Sequence, residues 1–177
     1  MSDSYKLGNG TYRNRITGYD SVDPEQLLAN PHNYRMHPKH QQDALAGALD
    51  EIGWLDDVIV NTTTGNIIDG HLRVTLALRN GEQTVPVKYV ELTEDEERLA
   101  LATFDPITAM ATHDADLLDA LLRDVNTGDE HLQQMLADMA GDAGIVPPNV
   151  EFPEYDESIA DGVEMCTCPN CGHEFPK

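Results

Sequence analysis

Apolar residues recur along this chain in two periods. From Gln41 to Gly53 they fall at Ala44, Leu45, Ala48, Leu49 and Ile52, three and four apart, the spacing that lines one face of an α-helix. Gly53 is its expected stop. The period then changes. "DVIVN" (57–61) predicts a short strand, "TTTGN" a turn, and Asn66–Asp69 a second strand. His71–Asn80 returns to helical spacing with Leu72, Leu76 and Ala77 inward, and Gly81 closes it. "TVPVKYVEL" predicts a third strand. Thr93 and Glu96 make a capping box at the head of a further helix, which Pro106 is expected to end. Two amphipathic helices follow, Asp114–Asp124 and Asp129–Ala140; the second puts Leu132, Met135, Leu136 and Met139 on one face.

The remainder is less regular. Residues 1–18 are polar, rich in Gly, Asn and Arg, and predict an arm rather than a packed element. "YDSVDPEQLLANP" predicts a short strand or turn, then a helical turn opened by Asp23-Pro24. "HNYRMHPKHQ" is a loop of polar side chains. Periodicity stops near Gly141. The stretch 141–165 is acidic and proline-containing and reads as a linker, and 166–177 is a cysteine motif.

Composition narrows the class. With 177 residues and 40% hydrophobic content, the chain can bury a real core. No apolar run reaches the 18 residues of a membrane span, and "MSDSYKLGNGTYRNR" lacks the apolar centre of a secretory signal. The expectation is a soluble, cytoplasmic protein. The net charge is −21, unevenly spread: residues 1–100 carry 9 Lys/Arg against 16 Asp/Glu, and residues 101–177 carry 2 against 16. Such a surface repels phosphate backbones at long range, so direct DNA binding is expected to be weak or absent. The acidity serves solubility, or it meets a basic partner or imitates the charge of DNA.

The strand-to-helix junction holds the first chemistry. There Asp69-Gly70-His71 is followed by Arg73. A helix N-terminus offers unpaired N–H groups and partial positive charge, where phosphate settles readily. Gly70 lets backbone and ligand approach closely, and Arg73 can give phosphate a bidentate pair. His71 can bond phosphate or move a proton near neutral pH. Asp69 caps the helix, holds a metal ion or activates a hydroxyl. The plainer alternative is a capping Asp69, a turn glycine and solvated His71 and Arg73.

Two separated boxes carry a family resemblance. "LLANPHNYRMHPKHQQDALAGALDEIGWLDDVIVN", then "GNIIDGHLRVTLAL" and "TVPVKYVELTEDEE", resemble the ParB/sulfiredoxin-like domain of phages and mobile elements, including its stand-alone and methyltransferase-linked forms. The resemblance implies an α+β fold, a small mixed β-sheet with flanking helices followed by a helical extension. With the segments read above, the chain divides into five parts: an arm (1–18), the ParB/sulfiredoxin-like domain (19–104), the extension (105–140), the acidic linker (141–165) and the cysteine motif (166–177). In ParB-like domains a Gly-Glu-Arg-Arg box binds the phosphates of CTP, and sulfiredoxin uses Gly-Cys-His-Arg for ATP. The matching positions here are Gly70, His71, Leu72 and Arg73. The cysteine of sulfiredoxin is absent, so the resemblance implies ATP or CTP binding rather than sulfinic-acid reduction. The first box supplies Asn30, Pro31 and Arg35, and the family's arginine there faces the same pocket. Arg35, Gly70, His71 and Arg73 are thus the implied cofactor-binding set, with Asp69 and His71 as acid–base candidates. The helix-turn-helix of partition proteins is rich in Lys and Arg, whereas the helices after Pro106 carry only Arg123.

Two metal sites come into view. His32, His37 and His40 share a loop, and with His71 and Asp69 they could hold a divalent ion such as Mg²⁺ for phosphodiester hydrolysis. In the tail, Cys168-Pro-Asn-Cys171-Gly matches half a zinc ribbon. Cys166 and His173 complete a zinc site locally, although one residue alone separates Cys166 from Cys168. In a homodimer, two chains would each give Cys168 and Cys171. A reduced tail without metal is the alternative. Three functions follow: a nucleotide-binding protein of phage or mobile-element DNA metabolism that hydrolyses or transfers phosphate; a non-catalytic acidic module binding a DNA-processing enzyme such as a methyltransferase; and a metal-dependent nuclease.

Overall fold

The computed structural model describes residues 12–145, 165–167 and 169–176. The chain divides into two units, Met1–Ile145 and Val146–Lys177.

In the first unit, four strands form one mixed sheet: β1 (Ile16–Val22), β2 (Val58–Asn61), β3 (Ile67–Asp69) and β4 (Val85–Val90), in the order β1-β4-β2-β3. The arrangement is α+β, as expected. β1 runs antiparallel to β4, with Tyr19 opposite Lys88 and Val22 opposite Val85. β2 and β3 are the antiparallel arms of the turn at 62–66. β2 and β4 are parallel, Val58 opposite Val87. A parallel pair needs a crossover, and β3 with helix α2 (His71–Asn80) makes it.

Strand alternation sorts the core into two layers. Val58, Val60, Ile67, Val85 and Val87 pack with Val74 and Ala77 of α2, and Val22, Leu27, Trp54 and Tyr89 close this cluster. Ile59, Ile68 and Val90 form a second cluster with Leu92 and Ala100; Ala100 belongs to α3 (Glu94–Ala109). Each fully buried aliphatic side chain stabilises the fold by roughly 1.5–3 kcal/mol. Helix α1 (Lys39–Ile52) ends at Gly53, φ 84°. Its buried positions are Ala44 and Gly47, while Ile52 is 62% exposed. The apolar stripe expected on α1 therefore narrows in its last turn. Helices α4 (Ala115–Asp124) and α5 (Glu130–Asp142) start from Asp114 and Asp129, whose carboxylates accept first-turn N–H groups.

Several boundaries differ from the sequence reading, among them the start of α1, which opens at Lys39 rather than Gln41 and so takes His40 out of the loop. β1 already begins at Ile16, so residues 16–18 belong to the sheet and not to an arm. α5 continues to Asp142, past Gly141. Pro106 lies inside α3, which runs on to Ala109. Proline removes only the bond to the carbonyl four residues back, on Ala102, and Ala102 is on the exposed side. Beyond it the turn is held by Thr108 Oγ1 donating to the Phe104 carbonyl (3.1 Å) and Met110 N–H donating to the Ile107 carbonyl (3.2 Å).

The second unit contains an antiparallel hairpin of β5 (Met165–Thr167) and β6 (Glu174–Pro176), with Cys166 opposite Phe175. Much of the stretch read as an acidic linker lies outside the described residues. No helix among the described residues is long and apolar enough to cross a membrane.

Candidate functional site

The junction between β3 and α2 turns on Gly70, at φ 95° and ψ 12°. L side chains rarely adopt this left-handed geometry. A Cβ here would also stand 3.1 Å from Val58 Cα on the neighbouring strand. The glycine thus lets α2 begin directly against β2. Gly70 itself is the N-cap, and no side chain caps the helix.

Asp69 does something other than cap. Its Oδ2 accepts from Arg73 Nη2 at 2.8 Å, and its Oδ1 lies 3.5 Å from Arg35 Nη1. One carboxylate therefore stands between the two guanidiniums of the two sequence boxes. Arg73 comes from the first turn of α2, and Arg35 from the loop before α1. Each has a further partner. Arg35 Nη1 is 2.6 Å from Asp105 Oδ2 on α3, and its guanidinium lies 5.9 Å from the centre of the Tyr34 ring. Arg73 Nη2 donates to Asp56 Oδ2 (3.1 Å) and to the Asp57 carbonyl (3.3 Å). The side chains of Arg35, Asp69 and Arg73 keep only 16–19% exposure, so the two pairs through Asp69 are shielded from solvent far more than surface pairs. Arg73 Nε is buried without a hydrogen-bond partner.

These residues face one cavity of about 220 Å³. Arg35, Asp69, Gly70, His71, Arg73 and Asp105 all line it. His71 enters it from the first position of α2. Its Nε2 accepts the backbone N–H of Asn30 at 3.2 Å, which assigns the ring proton to Nδ1. Burial pushes its pKa down; Asp69 pulls it up, and Arg35 and His37 push it down again, for a net value below 6.5. The bond from Asn30 requires Nε2 to carry no proton.

Bonded to Asn30 is a carboxylate that has no cation against it among the described residues. Glu97 is 4% exposed. It accepts from Asn61 Nδ2 and Thr64 Oγ1, each at 2.5 Å, from Asn30 Nδ2 at 2.7 Å and from Asn66 Nδ2 at 3.3 Å. Burial raises its pKa, but these hydrogen bonds prevail and hold it below 4.5. Glu97 thereby ties α3 to the β2–β3 turn and to Asn30. Asn30 in turn holds His71 and, through Oδ1, the His32 N–H at 2.9 Å.

All five expected residues of the first site thus meet in one place. Asp56, Glu97 and Asp105 join them from positions the sequence reading did not single out. Asp105 offers no local signal, since its partner is 70 residues away. Glu97 sits in the acidic run "EDEE", where nothing separates a buried carboxylate from a solvated one. Of the loop histidines, His37 reaches the cavity wall, where its Nδ1 lies 3.1 Å from Gln41 Oε1. Among the described residues, no group of three or more His, Cys, Asp or Glu side chains is placed to hold a metal ion. Of the expected zinc ligands, Cys166 lies on β5, Cys171 and His173 are exposed, and Cys168 falls outside the described residues.

The chain is similar to several solved structures. One is the C-terminally truncated chromosome-partitioning protein ParB from Caulobacter crescentus complexed with CTP-gamma-S. That likeness has a TM-score of 0.48 and 22% identity, covering 72% of this chain and 90% of that one. Two are structures of the pNOB8-like ParB N-domain, one in a C2221 crystal form. Their TM-scores are 0.44, with 18% and 17% identity, covering 93% and 94% of this chain and 59% and 56% of theirs. No family model matches the chain, and no curated protein does.

Proposed function

We propose that this chain is a nucleotide-binding protein of the ParB/sulfiredoxin-like type, holding the phosphates with Arg35, Arg73 and the backbone around Gly70 and His71. The observation that carries this reading is the convergence of Arg35 and Arg73 on opposite oxygens of Asp69 at one cavity. At about 220 Å³ the cavity is smaller than the roughly 300–1,000 Å³ of sites that enclose a whole ligand. It suits the phosphate end of a nucleotide, with the nucleoside lying outside. Arg73 Nε, buried and unpartnered, is a donor that an oxyanion would satisfy, recovering part of a desolvation cost of about 1–3 kcal/mol.

Phosphate must compete with Asp69, Asp105 and Asp56 for the guanidiniums. Charge-assisted bonds replace charge-assisted bonds, so the net gain is modest and salt-sensitive. Asp69 and Asp105 are the cavity's carboxylates that would hold a magnesium ion accompanying the phosphates. Such an ion supplies neutralisation of phosphate charge. For hydrolysis or transfer, Asp69 and His71 are the acid–base candidates. Asp69 is bound by guanidinium N–H, and His71 Nε2 by Asn30, so binding precedes any proton transfer. The sequence resemblance supports a role in phage or mobile-element DNA metabolism.

The test is a thermal-unfolding and calorimetry screen across ATP, CTP and GTP, with and without Mg²⁺. One nucleotide at hundredfold excess over its Kd should add about 2.7 kcal/mol of stability, and Arg73→Ala should remove the effect. Failure of every nucleotide to stabilise the protein overturns the reading.

A further inference from the structure

A second concavity, three times larger, lies between α1, α2 and the start of α5. It encloses about 650 Å³ and shares no residue with the phosphate cavity. Its floor is apolar: Ala46 and Leu49 from α1, Leu76 and Ala77 from α2, and Trp54 after the α1 stop. Its rim is acidic, with Asp43, Asp50, Glu82 and Asp129. The rim's cations are fewer. Arg79 is engaged with Gln42 Oε1 at 2.8 Å, and His131 is exposed. Asp43 is paired with Lys39, and among the described residues no basic side chain is bonded to Asp50, Glu82 or Asp129.

The groove is built rather than incidental. Gly47 makes room for the head of α5: a Cβ there would stand 2.6 Å from Asp129 Cγ. Asp129 Oδ1 accepts the N–H groups of His131 (2.9 Å) and Leu132 (2.8 Å). Glu51 Oε1 on α1 accepts from Thr127 Oγ1, Gly128 N–H and Asp129 N–H at 2.6, 3.0 and 3.1 Å. Three consecutive residues, Thr127, Gly128 and Asp129, thus bind the end wall to Glu51 of α1 before any ligand arrives. A preformed wall lowers the ordering cost of binding.

We propose that this groove docks a basic amphipathic segment of a partner protein, aliphatic side chains on the floor and Lys or Arg against the rim. Charge complementarity selects that occupant. A second copy of this chain brings a net charge of −21 to an acidic rim, and nucleic acid brings phosphates; both are repelled. A purely cationic ligand leaves the apolar floor in water. A helix with apolar residues at i, i+3 and i+4 and basic flanks satisfies both layers, the helix-in-groove mode of recognition.

Trp54 is the chain's single tryptophan, so its emission reports the groove directly. The probe is a synthetic Leu/Lys helix with leucines on one face, compared with a Leu/Glu helix of the same pattern and with an all-Lys peptide. The expected result is a saturable blue shift of Trp54 with the Leu/Lys helix only. Its affinity should fall about tenfold or more in Asp50→Lys/Glu82→Lys. It should hold in Glu91→Lys/Asp124→Lys, which changes the net charge equally on exposed positions elsewhere. No Trp54 response overturns the proposal. So does an equal loss in both double variants, which reports bulk charge alone, and so does an all-Lys peptide that binds as well. The shift should persist in Arg73→Ala, where nucleotide binding is lost, so the two readings stand or fall separately.

Discussion

The backbone N–H of Asn30 donates to the Nε2 of His71 across 41 residues of sequence, at 3.2 Å. This bond joins the two boxes of the site independently of the arginines, and it exists only while the imidazole is neutral. His71 is held below its ordinary 6.5, by burial first.

That shift fixes a sign. A histidine whose folded pKa is depressed contributes stability that is fully present above the unfolded value of 6.5 and is lost as pH falls through the folded value. An NMR titration of the His71 ring should give a midpoint under 6.5. Urea unfolding at pH 7 and pH 5 should show the wild type losing more stability than His71→Gln. Saturating phosphate or nucleotide should raise the midpoint, since a bound anion favours the imidazolium.

Glu97 should be intolerant of even a conservative change. Glu97→Ala strands several buried donors, each costing about 1–3 kcal/mol, so a loss exceeding ~3 kcal/mol is expected in urea unfolding. Glu97→Gln should not rescue it, because one acceptor oxygen becomes an NH₂ facing the NH₂ groups of Asn30, Asn61 or Asn66. The pH dependence has the same sense as for His71 but a lower window. The stability from Glu97 is present above 4.5 and lost as pH falls through its depressed folded value.

Gly70→Ala should destabilise without removing any functional side chain. The left-handed backbone alone costs about 1–2 kcal/mol, and the contact with Val58 Cα adds to it. A thermal midpoint lowered by several degrees checks this. Gly18→Ala, where a Cβ meets nothing within 4 Å, is the matched control and should be close to neutral.

Arg35→Ala and Arg73→Ala should be non-additive in nucleotide affinity, because both guanidiniums serve one phosphate group through one intervening carboxylate. A double-mutant cycle by calorimetry should give a coupling of about 0.5–3 kcal/mol. Strict additivity would mean that the two side chains do not share a ligand.

Much of this was legible in the chain because it is local. The His71–Asn80 helix, its Gly81 stop and the Thr93–Glu96 box each depend on residues within a turn or two of one another, and the structure places all three as the pattern predicts. The partners of Asp69 were not legible. An Asp before a helix reads as a cap, yet the left-handed Gly70 takes the cap position and turns the carboxylate toward Arg35 and Arg73. Pro106 misled for a related reason: a proline rule prices the lost bond but not whether water can replace it. The Arg35–Asp105 pair and the donors around Glu97 come from distant elements, and only the register of β2 with β4 and the docking of α3 bring them together.

The outer strand of the sheet has a consequence of its own. β1 spans seven residues, most of them exposed, and among the described residues its far edge carries no neighbour. Such an edge invites further strands to add, the first step of fibre growth. Here the ladder is broken by a shift between Ile16 and Gly18, and Asp20 stands in the middle of the exposed run. A register shift and a charge both oppose such addition, and β-branched residues at Gly18 and Asp20 should raise aggregation on storage, read by light scattering.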